Sequence, residues 1–440
     1  MLEPSEQSRD PRQLTRWRDP EEATPKIAVW EITLLCDLGC KHCGSRAGRA
    51  REDELSTEEA LDLVQQLADL GLEEVVLIGG EAYLRPDWHR IAAEVKRRGM
   101  VCTMVTGGRN LDEERVALAR DAGVRQIAVS IDGLRQTHDA LRGFEGSWQA
   151  AVAAAERVAS SGIQLAANSQ INRLSMPELP ALARQIVDLG AAGWQVQLTV
   201  AMGRAADRPD LLLQPYHLLD LMPLLYWIDR EILRPGHVEL FPGNNVGYFG
   251  PYAEQLRFGA ELGHTWSGCA AGATSLGIEA DGTIKGCPSL PTEPYTGGNI
   301  RSSTLRDLHG RAPELNDLPR RTQDDLWGFC QGCEHADRCL AGCTWTSHVL
   351  FGRPGNNPYC HHRALDFQSR GLRERLRKRW AAIGQPFDYG RYEVVVEPNE
   401  ARAEEDSPLP LTYLARLFGA HPDARSMWPK TTLDRVLDPR

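Results

Sequence analysis

Three cysteines near the start of the chain have a spacing that suits a metal centre. Cys36, Cys40 and Cys43 form the pattern Cys-x3-Cys-x2-Cys. A four-iron cluster needs one ligand on each iron, so three thiolates can hold it and leave one iron open to another ligand. The alternative is a zinc ion with His42 as its fourth ligand. Because His42 lies directly beside Cys43, tetrahedral ligation by both is awkward. The spacing therefore predicts a reactive iron–sulfur cluster.

A second group of seven cysteines lies nearer the C-terminal end. Its members are Cys269, Cys287, Cys330, Cys333, Cys339, Cys343 and Cys360. The order is C-x12-G-x4-C, with Gly282 as the glycine, then C-x2-C-x5-C-x3-C and a final cysteine. Two-residue spacings let neighbouring thiolates reach one metal centre. A zinc ribbon would account for four of these thiolates but not for seven. The eleventh cysteine, Cys102, stands alone in an apolar run and is expected to be a small buried side chain.

The composition limits the compartment and the partners. Disulfides seldom persist in the cytosol, so metal ligation is the better explanation for 11 cysteines there. The formal net charge of −10 argues against a nucleic-acid-binding surface. No apolar run approaches the roughly 20 residues needed to span a bilayer, and the charged segment 1–20 has no apolar stretch typical of a secretory signal. We therefore expect a cytoplasmic protein with no nucleic-acid or membrane partner.

A repeated order of strand, loop and helix positions the first cysteines. Strand-like runs occur at Ile27–Leu34, Glu74–Ile78, Val101–Val105, Gln126–Ile131, Gln164–Ile171 and Trp194–Val200. Helical patterns lie between them at Thr57–Leu70, Asp87–Arg98, Glu113–Asp121, Ser147–Ser160 and Pro177–Leu189. This alternation indicates parallel βα units and predicts an α/β fold, a partial (βα)6 TIM-like barrel. An open doubly wound sheet is the alternative.

The whole chain is expected to have five parts. They are a flexible leader (1–26), the barrel (27–206), a bridge (207–268), a cysteine-rich domain (269–366) and a C-terminal extension (367–440). An amphipathic helix is predicted in the bridge at Leu218–Ile232. The cysteine-rich part has little regular periodicity, so we expect it to need metal to fold. In the extension, the sequence predicts a basic helix at Ser369–Ile383 and another helix at Leu411–Phe418.

The barrel region resembles the radical S-adenosylmethionine superfamily. Beside the three cysteines, the resemblance is carried by Gly79-Gly80-Glu81 after the second strand, Thr106-Gly107-Gly108 after the third, and Ser130-Ile131-Asp132-Gly133 with His138, Asp139 and Arg142 after the fourth. It implies that the open iron binds the methionine end of S-adenosylmethionine. An electron from the cluster then cleaves the cofactor, and a 5′-deoxyadenosyl radical abstracts a substrate hydrogen.

The same resemblance implies a set of cofactor contacts at the strand ends. They are Gly79, Gly80, Glu81, Thr106, Ser130, Asp132, Arg142 and Asn168. Glu81 would receive the cofactor's ammonium group and Ser130 its ribose. Relatives often carry Thr-Asn-Gly where this chain has Thr106-Gly107-Gly108, so no asparagine side chain is available at Gly107. The C-terminal ends of parallel strands are where such barrels build active sites.

The seven later cysteines resemble the SPASM domain, an auxiliary-cluster module, over roughly residues 269–360. The resemblance implies two auxiliary [4Fe-4S] clusters and three clusters in all. The first auxiliary cluster would use Cys269, Cys287 and Cys343, and the second would use Cys330, Cys333, Cys339 and Cys360. Some relatives have a further cysteine where Ser275 stands, so the first auxiliary cluster is expected to have an open iron or a non-cysteine ligand. Pro288 replaces the aspartate base of the sulfatase-maturing branch, which disfavours that activity.

The resemblance favours an enzyme that modifies a ribosomally made precursor peptide by installing a crosslink or a related change. One alternative is a small-molecule radical enzyme of tetrapyrrole or redox-cofactor synthesis. Another is a non-catalytic iron–sulfur electron carrier, against which Glu81 and the strand-end residues argue. An external electron donor such as flavodoxin or ferredoxin is implied. Only 26 residues precede the first strand, so a separate leader-binding protein, the bridge or the extension would have to recognise any leader.

Overall fold

The computed structural model describes residues 24–258, 266 and 268–399. Its centre is a sheet in which eight neighbouring strands run parallel, in the order β8-β1-β2-β3-β4-β5-β6-β7. These strands are β1 (Ile27–Glu31), β2 (Glu74–Ile78), β3 (Val101–Thr106), β4 (Gln126–Ser130), β5 (Gln164–Ile171), β6 (Gly193–Leu198), β7 (Glu239–Pro242) and β8 (Ser275–Ile278). Within the described residues the two edges of this sheet do not pair with each other. The predicted α/β fold with a partial barrel is confirmed.

Helices connect the parallel strands and cover the sheet. They are α1 (Thr57–Leu70), α2 (Trp88–Arg97), α3 (Glu113–Ala122), α4 (Arg135–Arg142), α5 (Ser147–Ser160), α6 (Leu179–Asp188), α7 (Leu218–Ile228) and α8 (Ala253–Phe258). The start of α1 is set by a capping box, in which Ser56 and Glu59 satisfy each other's backbone N–H groups. Gly71, at a φ of 92°, ends it. A π-helical turn at Asp229–Leu233 continues α7.

The cysteine-rich region is joined to the barrel through the sheet itself. Strand β8 pairs in parallel with β1, and β9 (Thr283–Lys285) and β10 (Thr296–Asn299) extend the sheet beyond it as antiparallel strands. Short helices follow: α9 (Thr292–Tyr295), α10 (Leu305–Arg311), α11 (Pro313–Asn316), α12 (Ala336–Cys339), α13 (Thr344–Phe351) and α14 (His361–Ser369). This pairing places the segment that carries the later cysteines next to β1, the strand that precedes the loop of Cys36, Cys40 and Cys43.

The predicted basic helix at Ser369–Ile383 is wrong. Helix α14 ends at Ser369, and the basic segment forms β11 (Leu372–Trp380), which pairs antiparallel with β12 (Arg391–Pro398). The run alternates with period two, since Glu374 and Leu376 are buried between charged neighbours. The leader at residues 1–23 and the helix predicted at Leu411–Phe418 lie outside the described residues. In the part of the chain that is described, no helix is both long and apolar enough to cross a membrane.

Candidate functional site

The loop with the first three cysteines is held against the end of β2 by two glycines. The N–H of Gly80 donates to the carbonyl of Thr33, and the N–H of Glu81 donates to the carbonyl of Leu35, each at 2.8 Å. A Cβ atom on Gly79 would collide with the Thr33 carbonyl, and one on Gly80 with the Leu35 carbonyl. Only glycine allows this backbone approach. The motif Gly79-Gly80-Glu81 therefore holds the cysteine loop in position.

The three thiols of this loop are brought together. Burial, the Glu81 carboxylate and the charges of Cys40 and Cys43 raise the pKa of Cys36 to about 12. Burial also raises the pKa of Cys40, although Arg142 opposes that shift and donates to its sulfur at 3.7 Å. Three neighbouring thiols, one buried and two half-buried, become thiolates together only when a cation compensates their charge. The donor set thus suits an iron–sulfur cluster, and the nearby arginine suits the negative charge of a thiolate-bound one.

Asp132 lies at the centre of a buried network beside the cysteines. Its carboxylate is 2.7 Å from the Arg142 guanidinium and 3.0 Å from Nε2 of His42, and it accepts the N–H of Gln170 at 2.9 Å. Burial raises the pKa of Asp132, but Arg142 and His42 outweigh it and hold that pKa well below the ordinary range. Nε2 of His42 is therefore engaged by Asp132, which leaves Nδ1 as the nitrogen of that ring without a partner among the described residues. The network fixes Arg142 next to Cys40.

Glu81 presents a buried carboxylate at the same edge. Its two oxygens accept the Thr106 hydroxyl at 2.6 Å and the Gly107 N–H at 2.5 Å. Burial raises the pKa of Glu81 to about 7, although the hydrogen bonds from Thr106 and Gly107 act to lower it. A Cβ atom on Gly107 would lie 2.7 Å from the carboxylate oxygen. The glycine in place of the relatives' asparagine therefore gives Glu81 a backbone donor.

The remaining predicted cofactor contacts lie on neighbouring strands. Ser130 ends β4, and Asn168 is its register partner on β5. Both are half-buried, and neither side chain has a hydrogen-bond partner among the described residues. Together with Glu81, Thr106 and Asp132 they form a polar rim along four successive strands, β2 to β5. Such a rim can hold an amino-acid end and a ribose near the three thiols.

The cysteines assigned to the second auxiliary cluster line one cavity. They are Cys330, Cys333, Cys339 and Cys360. The Cys330 sulfur accepts the N–H of Asn357 at 3.5 Å, and the Cys333 sulfur accepts the N–H of His335 at 3.4 Å. Backbone N–H groups directed at sulfur suit thiolates that bear negative charge. The four cysteines that the spacing predicts as one ligand set therefore surround a common cavity.

The three cysteines assigned to the first auxiliary cluster also lie together. Burial raises the pKa of Cys343, and the charges of Cys269 and Cys287 add to that shift. Ser275 donates its hydroxyl to the carbonyl of Gly286 at 3.2 Å, so it is engaged by the backbone. Tyr295 lies beside this group, and burial, opposed by Arg321 and reinforced by Cys269 and Cys343, raises its pKa above the ordinary range.

Sequence reasoning missed the residues that connect the two later cysteine sets. Tyr248 is buried, and its hydroxyl oxygen accepts the Cys343 N–H at 3.0 Å and the Asn357 amide at 2.9 Å. The backbone N–H of Asn357 in turn reaches Cys330. A tyrosine in an irregular loop and an asparagine in a turn carry no spacing signal. Only the folded structure reveals their common position.

Comparison with known proteins agrees with this geometry. Residues 30–178 match the family model of the radical SAM superfamily. An AdoMet-dependent heme synthase of Methanosarcina barkeri is 28% identical over 350 residues, which cover 77% of this chain and 97% of that protein. A pre-heme d1 synthase of Dinoroseobacter shibae is 26% identical, covering 78% of this chain and 88% of that protein. A PqqA peptide cyclase of Rhizobium meliloti is 25% identical with the same two coverages.

The fold also has solved counterparts. SuiB of Streptococcus suis, solved bound to S-adenosylmethionine, superposes with a TM-score of 0.60 at 16% identity. The match covers 77% of this chain and 76% of that one. At this identity the likeness is one of fold. It extends well beyond residues 30–178, so the region after the barrel shares the common architecture.

Proposed function

Because this chain belongs to the radical SAM superfamily and is an enzyme, we propose that it removes a hydrogen atom from a side chain of a tetrapyrrole. The observation that carries the substrate class is the likeness to a heme synthase over 97% of that protein's length. The pre-heme d1 synthase supports the same class. The precursor peptide favoured by the sequence becomes the second candidate, and the tetrapyrrole alternative becomes the first.

The residues of the barrel rim have separate roles in this proposal. Cys36, Cys40 and Cys43 hold the cluster, and Glu81 accepts the ammonium group of S-adenosylmethionine. The cluster and the cofactor, when bound, supply the organic radical that takes the hydrogen. Arg142, oriented by Asp132, neutralises charge next to Cys40.

The polar side chains on the next two strands complete the cradle. Ser130 and Asn168 face the ribose, because both retain hydrogen-bonding capacity at the rim. Their adjacent register lets one ligand group contact both. The apolar core behind them keeps water from the site, which protects a reactive radical.

We assign two auxiliary four-iron clusters to the seven later cysteines. The first uses Cys269, Cys287 and Cys343, with one iron lacking a cysteine ligand. The second uses Cys330, Cys333, Cys339 and Cys360, which line a common cavity. An external electron donor of the flavodoxin or ferredoxin class delivers the electron that starts the reaction. The five-part division of the chain is retained as part of this proposal.

The decisive experiment compares substrate classes on one reconstituted protein. The enzyme is loaded with iron and sulfide without oxygen, reduced with dithionite and given S-adenosylmethionine, with or without Fe-coproporphyrin III. We expect porphyrin to increase 5′-deoxyadenosine formation and to change in mass. If 5′-deoxyadenosine forms but porphyrin neither accelerates it nor changes in mass, the tetrapyrrole assignment is wrong and the radical chemistry remains.

The second candidate is maturation of a precursor peptide, favoured by the PqqA peptide cyclase, which is matched over 88% of its length. A short open reading frame beside the gene would supply the peptide for the same assay. A separate leader-binding protein would be added where the gene cluster encodes one. A change in peptide mass that depends on Cys36 would select this candidate over the porphyrin.

A further inference from the structure

Two histidines and a glutamate converge at the outer side of the second cysteine set. Glu334 and His335 follow Cys333, and His362 is the second residue of α14. Nε2 of His335 lies 4.0 Å from Oε1 of Glu334, and Nε2 of His362 lies 3.7 Å from the same oxygen. All three ligand atoms are within 4.8 Å of one another. None of these side chains has a role in the proposed radical chemistry.

Phe249 anchors the ring of one histidine and the backbone of the other. The His335 ring stacks on Phe249, with centroids 4.1 Å apart and planes 12° from parallel. The backbone N–H of His362 donates to the carbonyl of Phe249 at 2.9 Å. The two histidine rings meet edge to face at 4.7 Å. A metal ion would therefore find two ligands already oriented, so little ordering entropy opposes its binding.

The geometry suits a small divalent ion with nitrogen and oxygen ligands. Zinc binds histidine nitrogen and carboxylate oxygen at about 2.0–2.2 Å, which in a tetrahedron separates ligand atoms by roughly 3.4 Å. The two histidine–glutamate separations of 4.0 and 3.7 Å would have to shorten by about 0.6 and 0.3 Å. Glu334 is well placed to supply that movement, because its side chain is 72% exposed.

The surroundings leave room for a fourth ligand. Glu334 and His362 line an open surface recess together with Gly332, Asp366 and Arg370. Zinc sites with three protein ligands keep one position for water or an exchangeable anion, whereas closed structural sites use four. In this recess the open position would face solvent, with the Arg370 cation nearby for an anion.

We propose that Glu334, His335 and His362 form a site for a divalent cation of the zinc class, open to one exchangeable ligand and directly beside the second cysteine set, whose cavity the two histidines also line. It does not depend on the proposed activity or on the substrate. Its ligands come from two segments, the loop after Cys333 and the start of α14, so a bound ion would also tie these segments together.

The test uses full-length protein with its clusters loaded, dialysed against micromolar zinc chloride. We expect one tightly retained zinc per chain above the background of a His362→Asn variant. Affinity should fall at least about tenfold in that variant and in Glu334→Gln, which is exposed and so should leave the fold intact. Iron content should stay equal in all three proteins. His237→Asn is the matched control, because His237 is exposed and has a φ of 58° that asparagine accepts.

X-ray absorption at the zinc edge distinguishes this site from zinc in an empty cysteine centre. Nitrogen and oxygen neighbours at about 2.0–2.2 Å support the proposal, whereas sulfur neighbours at about 2.3 Å contradict it. Failure to retain zinc, or equal retention by the wild type and His362→Asn, would also overturn it. Each of these results is independent of whether porphyrin or peptide is the substrate.

Discussion

Glu81 is the residue on which cofactor binding should depend most. It is buried, its pKa is raised to about 7 mainly by burial, and its oxygens accept Thr106 and Gly107. We predict that Glu81→Gln keeps an acceptor oxygen but lowers affinity for S-adenosylmethionine at least about tenfold, because the ammonium group loses a charged partner. Equilibrium dialysis measures this, with iron content as the check on folding. The control is Glu156→Gln on the exposed face of α5. Unchanged affinity in Glu81→Gln would mean that the ammonium group binds elsewhere.

His138 gives a prediction about pH at the same scale. Its Nδ1 accepts the N–H of Asp132 at 3.2 Å. Burial, reinforced by Arg142, lowers its pKa from 6.5 to about 4. Below pH 6.5 the unfolded chain takes up a proton that the folded chain refuses, so stability is lost as pH falls from 6.5 towards 4. The loss is at most about 1.4 kcal/mol per pH unit.

His138→Asn tests this assignment, because an amide oxygen can replace Nδ1 as acceptor but does not titrate. Thermal midpoints at pH 7.5 and 5.5 should fall further in the wild type than in the variant. The exposed His237 again supplies the control, since His237→Asn should keep the wild-type pH dependence. Parallel pH dependence of the wild type and His138→Asn would show that His138 contributes nothing to it.

At the scale of elements, the cysteine loop depends on its contact with the end of β2. Gly80→Ala would drive a Cβ atom into the Leu35 carbonyl and towards Cys36. We predict that it displaces the loop and costs about four irons, one cluster. Gly48→Ala, in the same loop but with nothing within 4 Å of the added carbon, should keep the full iron content. The iron and sulfide contents of the two variants, measured after anaerobic loading, test this prediction. Equal loss in both variants would point to general sensitivity of the loop.

Helix α14 and strand β11 meet through a buried ion pair. Arg363 and Glu374 are each 4% exposed and form two hydrogen bonds, at 2.6 and 2.7 Å. Glu374→Gln removes the carboxylate that faces Arg363 and leaves that buried charge to the Cys330 and Cys360 sulfurs, so we predict a loss of up to about 3–5 kcal/mol in unfolding free energy. Glu397→Gln on the partner strand breaks pairs with Arg373 and Arg375 that are more exposed than the Arg363–Glu374 pair, and it should cost less, about 1 kcal/mol. Urea unfolding measures the free energy lost in each variant. Equal losses would contradict the claim that burial makes the Arg363–Glu374 pair the more important one.

The elements also show what sequence can and cannot predict. Helices α1 and α5 have the predicted bounds, because apolar periodicity and end signals coincide there. Strands β7 and β8 were missed, since four residues are too few to show a period. The sequence predicts a helix over β11, because the run of basic residues dominates its pattern and hides the alternation of buried and exposed side chains. Its pairing with β12 depends on residues some twenty positions away, which no local pattern contains.

The candidate site, like the fold, is only partly predictable from the sequence. Cysteine spacing and the motif Gly79-Gly80-Glu81 predicted which residues come together, because these signals are local in sequence. The partners that orient them are not local. Arg142 reaches Cys40 across the barrel rim, and Tyr248 bridges Cys343 and Asn357 from more than 90 residues away. Such contacts follow from strand order and loop packing, so they appear only in the folded chain.

The whole molecule brings its cysteine sets into one body. The parallel pairing of β8 with β1 sets the later cysteines beside the first loop. Across this junction the Trp345 indole N–H donates to the Met202 sulfur at 2.9 Å, and the Gly203 N–H donates to the Asp388 carbonyl at 2.7 Å. Trp345 follows the cysteine-rich helix start, and Met202 lies near the first cysteine loop. The first cysteine loop and the later cysteine-rich region are therefore in direct contact.

Because the two regions are in contact, the sharpest test of the three-cluster assignment is whether the later cysteines still bind iron when the first three are replaced. Replacing Cys36, Cys40 and Cys43 together by alanine should abolish cleavage of S-adenosylmethionine. About eight irons should remain if two auxiliary four-iron clusters are present. The first loop meets the later region through side chains other than the three thiols, such as Arg51 with Glu279 and Met202 with Trp345, so loss of the thiols should not open the second cavity. The complementary Cys330→Ala, Cys333→Ala double variant should lose about four irons and keep the other clusters. Metal analysis and electron paramagnetic resonance of the reduced proteins measure both. Loss of all iron from the triple variant would mean that the auxiliary centres cannot form without the first loop.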